Sequence, residues 1–253
     1  MWGLVFGSFL NVCIYRIPRD LSIVRPRSFC PECAATIGWR DNIPLVSYFL
    51  LRGKCRTCGV QIGYRYPLVE LATAILFALV VYRYGLSAAA GKWALFECLM
   101  VILFCTDLEE RILPDELTLG GAAVGLALAF LVTVPGVLGE LFFPDWTPPL
   151  RSACNAILGM IFLAGPLWLL GALYAQVRRR EGVGLGDVKL LLIFGAFLGL
   201  ESGLMALLIG AVSGSVLGLI YLIATKRSPA ETELPFGTFL CAGAAILPLA
   251  KSL

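Results

Sequence analysis

Histidine is absent from all 253 residues. Its absence removes the base of every Ser-His and Cys-His hydrolase and every His-ligated catalytic metal. Charge is scarce too: Asp, Glu, Lys and Arg make up 15% of the chain, against about 25% in an average soluble domain. Also missing is the strict apolar–polar alternation of barrel strands, which excludes a membrane β-barrel. No Gly-Lys-Ser/Thr follows the chain's glycine-rich stretch, so it is not a P-loop. That stretch also lacks the strand–loop–helix setting of a dinucleotide fold. The net charge of +3 carries little further information, and no nucleic-acid partner is expected.

What is present is apolar sequence in long runs. Hydrophobic residues reach 59%, and the mean hydropathy is +0.87. Both values point to lipid as the solvent. A hydrocarbon core needs about 20 apolar residues per helical crossing. Eight candidate spans follow, roughly 2–15, 67–82, 93–106, 117–135, 153–177, 187–200, 202–224 and 235–250. The expected fold is an all-α polytopic membrane protein of about eight transmembrane helices with a small cytoplasmic four-cysteine zinc-binding loop. Its divisions are a first helix at 1–17, a loop at 18–65 and a helical bundle at 66–253. The first span is the shortest, and a clipped amino end is expected there. No basic segment precedes it and no small-residue site follows it, so a cleavable signal is not expected.

Lys and Arg set the orientation. With the N-terminus outside and eight crossings, sixteen of the twenty fall on the cytoplasmic side. Arg16 to Arg65 crowd the first loop, and Arg111, Arg178, Arg179, Arg180, Lys189, Lys226 and Arg227 follow at alternate loops or span ends. Only Arg83, Lys92, Arg151 and Lys251 lie outside.

The loop at 18–65 contains Cys30-Pro31-Glu32-Cys33 and Cys55-Arg56-Thr57-Cys58-Gly59. The two C-x-x-C pairs stand 21 residues apart, just beyond the usual zinc-ribbon range. Each pair closes a tight turn on one face of a metal ion, and four thiolates complete a closed tetrahedral site. Gly59 suits the left-handed turn after the last ligand. A redox dithiol would not need two copies, and a reducing cytosol disfavours disulfides. Structural zinc on Cys30, Cys33, Cys55 and Cys58 is the expected cofactor. A loop so poor in large apolar residues needs such a staple. Cys13, Cys98, Cys105, Cys154 and Cys241 are expected to be small buried hydrophobes.

Two acids stand where apolar runs meet the cytosol. Asp107 closes the third span and Asp187 opens the sixth, 80 residues later. Ionisable groups in membrane segments default to a functional reading. Asp187 could simply cap its helix, and Asp115, after Pro114, fits a cap better than a catalytic role. A negative charge at a helix C-terminus opposes the macrodipole, so Asp107 is harder to explain structurally. Gly182, Gly184 and Gly186 lead to Asp187 and then Lys189. Glycines there allow unusual backbone angles and close approach to a bound chain. Two close carboxylates share one proton. One then deprotonates water while the other protonates the carbonyl oxygen and the leaving amine. That chemistry is peptide hydrolysis without a covalent intermediate.

The ordered stretches GSFLNVCIYRIP (7–18), the two C-x-x-C pairs, DNIPLVSY (41–48), RYPLVELAT (65–73), TDLEERILPDELTL (106–119), GLGDVKLL (184–191) and LPFGTFL (234–240) resemble the bifunctional prepilin leader peptidase/N-methyltransferase family. The family are polytopic aspartyl proteases with a G-x-G-D motif. The resemblance implies that Asp107 and Asp187 are the catalytic pair, and Gly184, Gly186 and Lys189 are read with them as a motif and substrate loop. It implies pilin-like precursors as substrates, cut between Gly and Phe at the cytoplasmic face of a bacterial inner membrane. It also implies S-adenosylmethionine as the methyl donor for the new N-terminus, although no residues are assigned to that cofactor. The four-cysteine loop matches the members credited with both activities, whereas members without it are peptidases only; a peptidase-only reading stays open as an alternative. A transporter with paired acids and a regulatory zinc loop stays open as well, as does a zinc-binding module without catalysis.

Overall fold

The computed structural model describes residues 1–178, 184–226 and 234–250. Among them regular structure is helical, apart from two isolated bridges, Phe29–Thr36 and Lys54–Gln61. The chain divides into two compact units, Met1–Leu86 and Ser87–Leu253.

In the first unit, α1 (Trp2–Arg16) packs on α3 (Arg65–Tyr84). Gly3 and Gly7 stand one turn apart at this contact. A Cβ at Gly3 would lie 2.7 Å from Ala74 Cα, and one at Gly7 2.6 Å from Glu70 Cα. The paired positions climb one helix and descend the other, so the two run antiparallel. Small residues at this spacing let helix backbones meet closely in lipid. The segment between them carries the short α2 (Val46–Leu50). Arg16, buried at the end of α1, fastens the segment's start. Its guanidinium donates to the carbonyls of Ser22 (2.8 Å) and Arg27 (3.3 Å) and lies over the Phe29 ring.

The second unit holds α4 (Ala88–Glu110), α5 (Asp115–Leu128), the short α6 (Val137–Phe142), α7 (Pro148–Arg178), α8 (Leu185–Thr225) and α9 (Phe236–Ile246). The helix α8 packs against α5, α7 and α9, and α9 also packs against α4. The core sits around the first part of α8, where Leu190, Leu191, Phe194 and Phe197 are fully buried with Phe96 and Leu103 of α4. Phe96 and Phe197 meet at 5.2 Å between ring centroids. Gly159 of α7 and Gly195 of α8 form a backbone crossing, since a Cβ at Gly159 would stand 3.0 Å from Gly195 Cα. Beyond Gly199, α8 buries one row of small residues, Gly203, Ala206, Gly210, Gly214 and Gly218. Leu208, Val212, Leu219 and Ile223 are left exposed on it. Apolar exposure on this scale is what lipid solvates.

Among the described residues four helices, α3, α4, α7 and α8, are long and apolar enough to cross a membrane. The remaining expected spans fall on shorter helices: α1 has 15 residues, α5 has 14 and α9 has 11. The expected separation of two spans near residue 201 is present two residues earlier, because α8 is two helical stretches that meet at a kink at Gly199. Gly199 takes φ +77°, a left-handed angle at which a side chain would be strained, and a Cβ there would also strike the Pro135 carbonyl. Of the expected features, Arg179, Arg180, Gly182, Arg227 and Lys251 lie outside the described residues.

Candidate active site and metal centre

Asp107 is buried in the last turn of α4. The helix stops three residues later, where Arg111 turns left-handed at φ 56° and its N–H donates to the Asp107 carbonyl. The Asp107 side chain points at the start of α9. Its Oδ2 accepts the backbone N–H of Thr238 at 2.6 Å and is 2.9 Å from the Thr238 hydroxyl. That hydroxyl also lies 3.4 Å from the Phe104 carbonyl, a second acceptor. Thr238 is the third residue of α9, where helix N–H groups lack partners of their own. So the charge that opposes the dipole of α4 is set against the positive end of α9. The missing partner of Asp107 is a helix N-terminus that comes 131 residues later in the chain.

Asp187 sits in the first turn of α8, whose N-cap position is Gly184. It is therefore not the cap: its own N–H donates to the Gly184 carbonyl, and no side chain caps this helix. Asp187 also stands at a helix end that favours negative charge. The two acids belong to one locality. Leu113 Cδ1 is the nearest atom to a Cβ at Gly186 (3.2 Å), and lies 3.1 Å from one at Gly237, which would also meet Asp107 Cγ at 3.1 Å. Asp107 and Asp187 lie within electrostatic range of one another, and both within range of the buried Cys241. What brings them together is α9, wedged against both α4 and α8.

The glycine stretch works differently from expectation. Gly184 has an ordinary φ of −64°, and Gly186 lies inside α8 without a left-handed angle. Gly186 serves close approach instead, and the chain it approaches is this protein's own Leu113. Lys189 is engaged: its Nζ donates to Asp115 Oδ1 at 2.5 Å. Asp115 is not the cap of α5 either, because Pro114 holds that position and makes no side-chain cap bond. The ion pair instead ties the start of α5 to α8.

Sequence reading passed over Thr238 and Gly237. Both lie in LPFGTFL, a stretch noted for its order along the chain and not for any role. A Thr three residues past a Pro is a helix-start signal, but nothing in it points to Asp107. Because a Cβ at Gly237 would meet Asp107 Cγ and Oδ2 at 3.1 Å, Gly237→Ala is expected to displace the carboxylate by a few tenths of an ångström. If Asp107 is one of the reacting pair, as the resemblance implies, peptide cleavage should fall roughly tenfold, since sub-ångström misplacement of reacting groups is costly. Initial rates on a precursor peptide check this; an unchanged rate would detach Gly237 from the site.

In the first unit the four predicted cysteines converge. The sulfurs of Cys30, Cys33, Cys55 and Cys58 all lie within 4.8 Å of one another, with Cys30 and Cys58 at 3.9 Å. The two halves repeat one turn. The N–H of Ala34 donates to the Cys30 carbonyl and that of Gly59 to the Cys55 carbonyl. Ala34 (φ 54°) and Gly59 (φ 72°) are both left-handed, so the expectation for Gly59 holds. Backbone N–H groups of Cys58 and Thr57 bond the Cys55 sulfur and bring its thiol down to about 6. Such a donor set fits a closed zinc site. Nearby, Arg56 donates to both Asp41 oxygens at 2.7 and 2.6 Å, which holds the Asp41 carboxyl below its ordinary range and raises Arg56. Of the remaining cysteines, Cys13, Cys98, Cys105 and Cys241 are buried as expected, while Cys154 is half-buried.

Fold and sites together define a helical membrane protein with two acids gathered at helix ends and a separate four-thiol centre. The profile of the Type IV leader peptidase family matches residues 94–219, and that of the bacterial peptidase A24 N-terminal domain matches residues 1–84. The chain belongs to the Type IV leader peptidase family. It is 41% identical to a prepilin leader peptidase/N-methyltransferase of Myxococcus xanthus, over 91% of this chain and 64% of that protein. It is 33% identical to the protein of the same name from Pseudomonas aeruginosa, over 94% and 84%. It is 34% identical to a type 4 prepilin-like proteins leader peptide-processing enzyme of Escherichia coli, over 95% and 88%. No solved structure matches the chain.

Proposed function

We propose that this chain cleaves the leader from prepilin-type precursors with Asp107 and Asp187 and then N-methylates the new terminus. The observation that carries the peptidase reading is the junction of α4, α8 and α9, where Asp107 is held by Thr238 beside Asp187. Relatives named for both activities support the pair of reactions. Asp107 Oδ2 already accepts from Thr238, so the shared proton is left to Asp107 Oδ1 and the Asp187 carboxyl. The anionic carboxylate takes a proton from water as the water oxygen bonds to the scissile carbonyl carbon. The protonated acid donates to the carbonyl oxygen. Collapse of the tetrahedral diol breaks the C–N bond, and the amine leaves with a proton from the pair. Acids at helix ends, rather than midway along spans, favour hydrolysis over a transport pathway.

The substrate is a precursor with a short basic leader ending in Gly, followed by Phe and an apolar helix. Gly184, Gly186 and Lys189, at the N-terminal end of α8 beside the acids, form the edge that meets it. The protein lies in the bacterial cytoplasmic membrane with its acids facing the cytoplasm, as the Lys and Arg distribution supports. Eight crossings fit if α8, at 41 residues, supplies two of them, because one crossing needs about 20. Residues 66–253 hold the helices after a first helix at 1–17, with the peptidase acids in the part from Ser87 onward, and 18–65 form a methyltransferase-associated loop held by zinc on Cys30, Cys33, Cys55 and Cys58. When bound, S-adenosylmethionine supplies a methyl group: the amine lone pair forms the N–C bond as the C–S bond breaks, sulfur keeps that electron pair, and the amine releases a proton. Mass spectrometry of a purified precursor incubated with the enzyme and methyl donor tests both steps. Loss of the leader and gain of one methyl are expected; an intact precursor beside folded enzyme would overturn the reading.

A further inference from the structure

The first unit contains a cavity of about 300 Å³, at the lower end of the range for small-molecule sites. It is lined by α1, the start of α3 and the cysteine loop. Asn11 of α1 is 3% exposed. Its Nδ2 donates to the carbonyls of Gly7 (3.3 Å) and Tyr66 (3.0 Å), and those two acceptors fix which way the amide faces. Its Oδ1 is buried with no donor. Buried amide oxygens are almost always satisfied, so this one marks a place for a ligand's N–H or O–H. Glu70, 8% exposed on α3, lines the same cavity. One of its oxygens accepts the Leu45 N–H at 2.8 Å, and Ser8 adds another bond. Around these two acceptors stand the rings of Tyr15, Phe29, Tyr48 and Tyr66. Arg16 also borders the cavity, but its guanidinium is spent on the Ser22 and Arg27 carbonyls.

An acceptor-rich, aromatic cavity with a buried carboxylate does not suit phosphate-bearing nucleotides, whose charge would face Glu70; the second arginine of the lining, Arg56, is paired with Asp41. It suits a ligand that is cationic, rich in donors and aromatic at one end. S-adenosylmethionine has that chemistry: an adenine with an amino group, two ribose hydroxyls, an α-ammonium and a sulfonium. Aromatic faces stack the purine and attract the cation. We propose that this cavity between α1, α3 and the cysteine loop seats the methyl donor, with Asn11 Oδ1 and Glu70 accepting its hydrogen bonds. The inference rests on the methyl-transfer reading above. Cys30 and Cys55 also line the cavity, so the four-thiol centre holds one of its walls.

Calorimetry on the full chain in detergent, with S-adenosylmethionine and S-adenosylhomocysteine as probes, tests the site without turnover. Asn11→Leu and Glu70→Gln are each expected to weaken binding about tenfold or more, the scale of one lost hydrogen bond to a buried or charged partner. Zinc content and melting temperature serve as controls for folding. Ultraviolet cross-linking of methyl-labelled S-adenosylmethionine to the wild-type chain needs no variant, and its label is expected on peptides holding Tyr15, Phe29 or Tyr48. Label within Ser87–Leu253, or unchanged affinity in both variants, would overturn the cavity while leaving methylation in place. A wild-type chain that binds neither probe would overturn the methyl-transfer reading and the cavity together.

Discussion

Asp107→Asn is expected to slow precursor cleavage by roughly 10⁴-fold while the protein still folds and inserts, because it removes one half of an acid–base pair. The choice of Asn matters. Asp107 also caps α9 through Thr238, and an amide oxygen accepts that N–H as well as a carboxylate oxygen does. Asp107→Ala would leave the α9 N–H unpaired and confuse a folding defect, of about 1 kcal/mol, with lost chemistry. Asp187→Asn should be equally inactive, and its fold is less at risk because Asp187 caps nothing. Thr238→Val separates the two roles of Asp107: it keeps the backbone donor and removes the hydroxyl. Its expected loss is nearer tenfold, the value of one hydrogen bond to a charged group. If the acids act only in hydrolysis, both Asn variants should still methylate a precursor cleaved beforehand. Normal cleavage by either Asn variant would remove that acid from the mechanism.

The helices were legible because apolar runs in a nearly chargeless chain leave few competing readings. Their ends were not. Lys92 interrupts the third run and sets its apparent start near residue 93. Yet Lys92 is 1% exposed with its ammonium 4.8 Å from the Trp93 ring, and α4 starts at Ala88 behind the Ser87 cap. Glu201 stands between the expected spans 187–200 and 202–224. It bonds the Val137 N–H at 2.8 Å, and the break falls two residues earlier, at the one glycine of α8 with a left-handed angle. The fourth run continues in apolar sequence to 135, but α5 stops at Leu128. Ser152 and Asn155 of α7 then fix the Val134 backbone at 2.7 and 3.1 Å. Both acids could be picked out one by one, since each sits where an apolar run ends. Their support could not, because it is a contact between Asp107 and a threonine whose local sequence carries no charge. Asn11 and Glu70 were lost for a simpler reason: a single polar residue inside an apolar run scarcely lowers its average. Glu70 was the more findable of the two, since an ionisable side chain in a membrane segment is itself a signal.

Replacing Cys30 and Cys58 together by serine is expected to empty the metal centre and loosen the whole segment between α1 and α3. Structural zinc supplies roughly 10–16 kcal/mol of folding free energy in small isolated domains, and this segment has little else. Between Ile17 and Tyr64, Cys30, Ser47 and Gly53 are the only buried residues, and the bridges Phe29–Thr36 and Lys54–Gln61 are isolated pairs without a sheet to join. Other ties are Arg16 at one end, Glu70 holding the Leu45 N–H, Ser47 bonded to the Arg40 carbonyl and the Ile43 N–H, Tyr48 donating to the Ile62 carbonyl, and the Asp41–Arg56 pair. That last pair is exposed on the arginine side, at 66%, where ion pairs contribute little. The expected result is zinc falling from one ion per chain to near none by elemental analysis. Limited trypsin digestion should then cut at Arg27, Arg40 and Arg52 much faster than in the parent protein. Treating the parent with a strong chelator should reproduce both changes, and zinc should reverse them. Because Cys30 and Cys55 wall the cavity, methyl-donor binding should disappear with the metal and return with it. A double variant that still held one zinc per chain would show that the ion is bound elsewhere, and a zinc-free protein that resisted trypsin would show that the loop keeps its shape by other means.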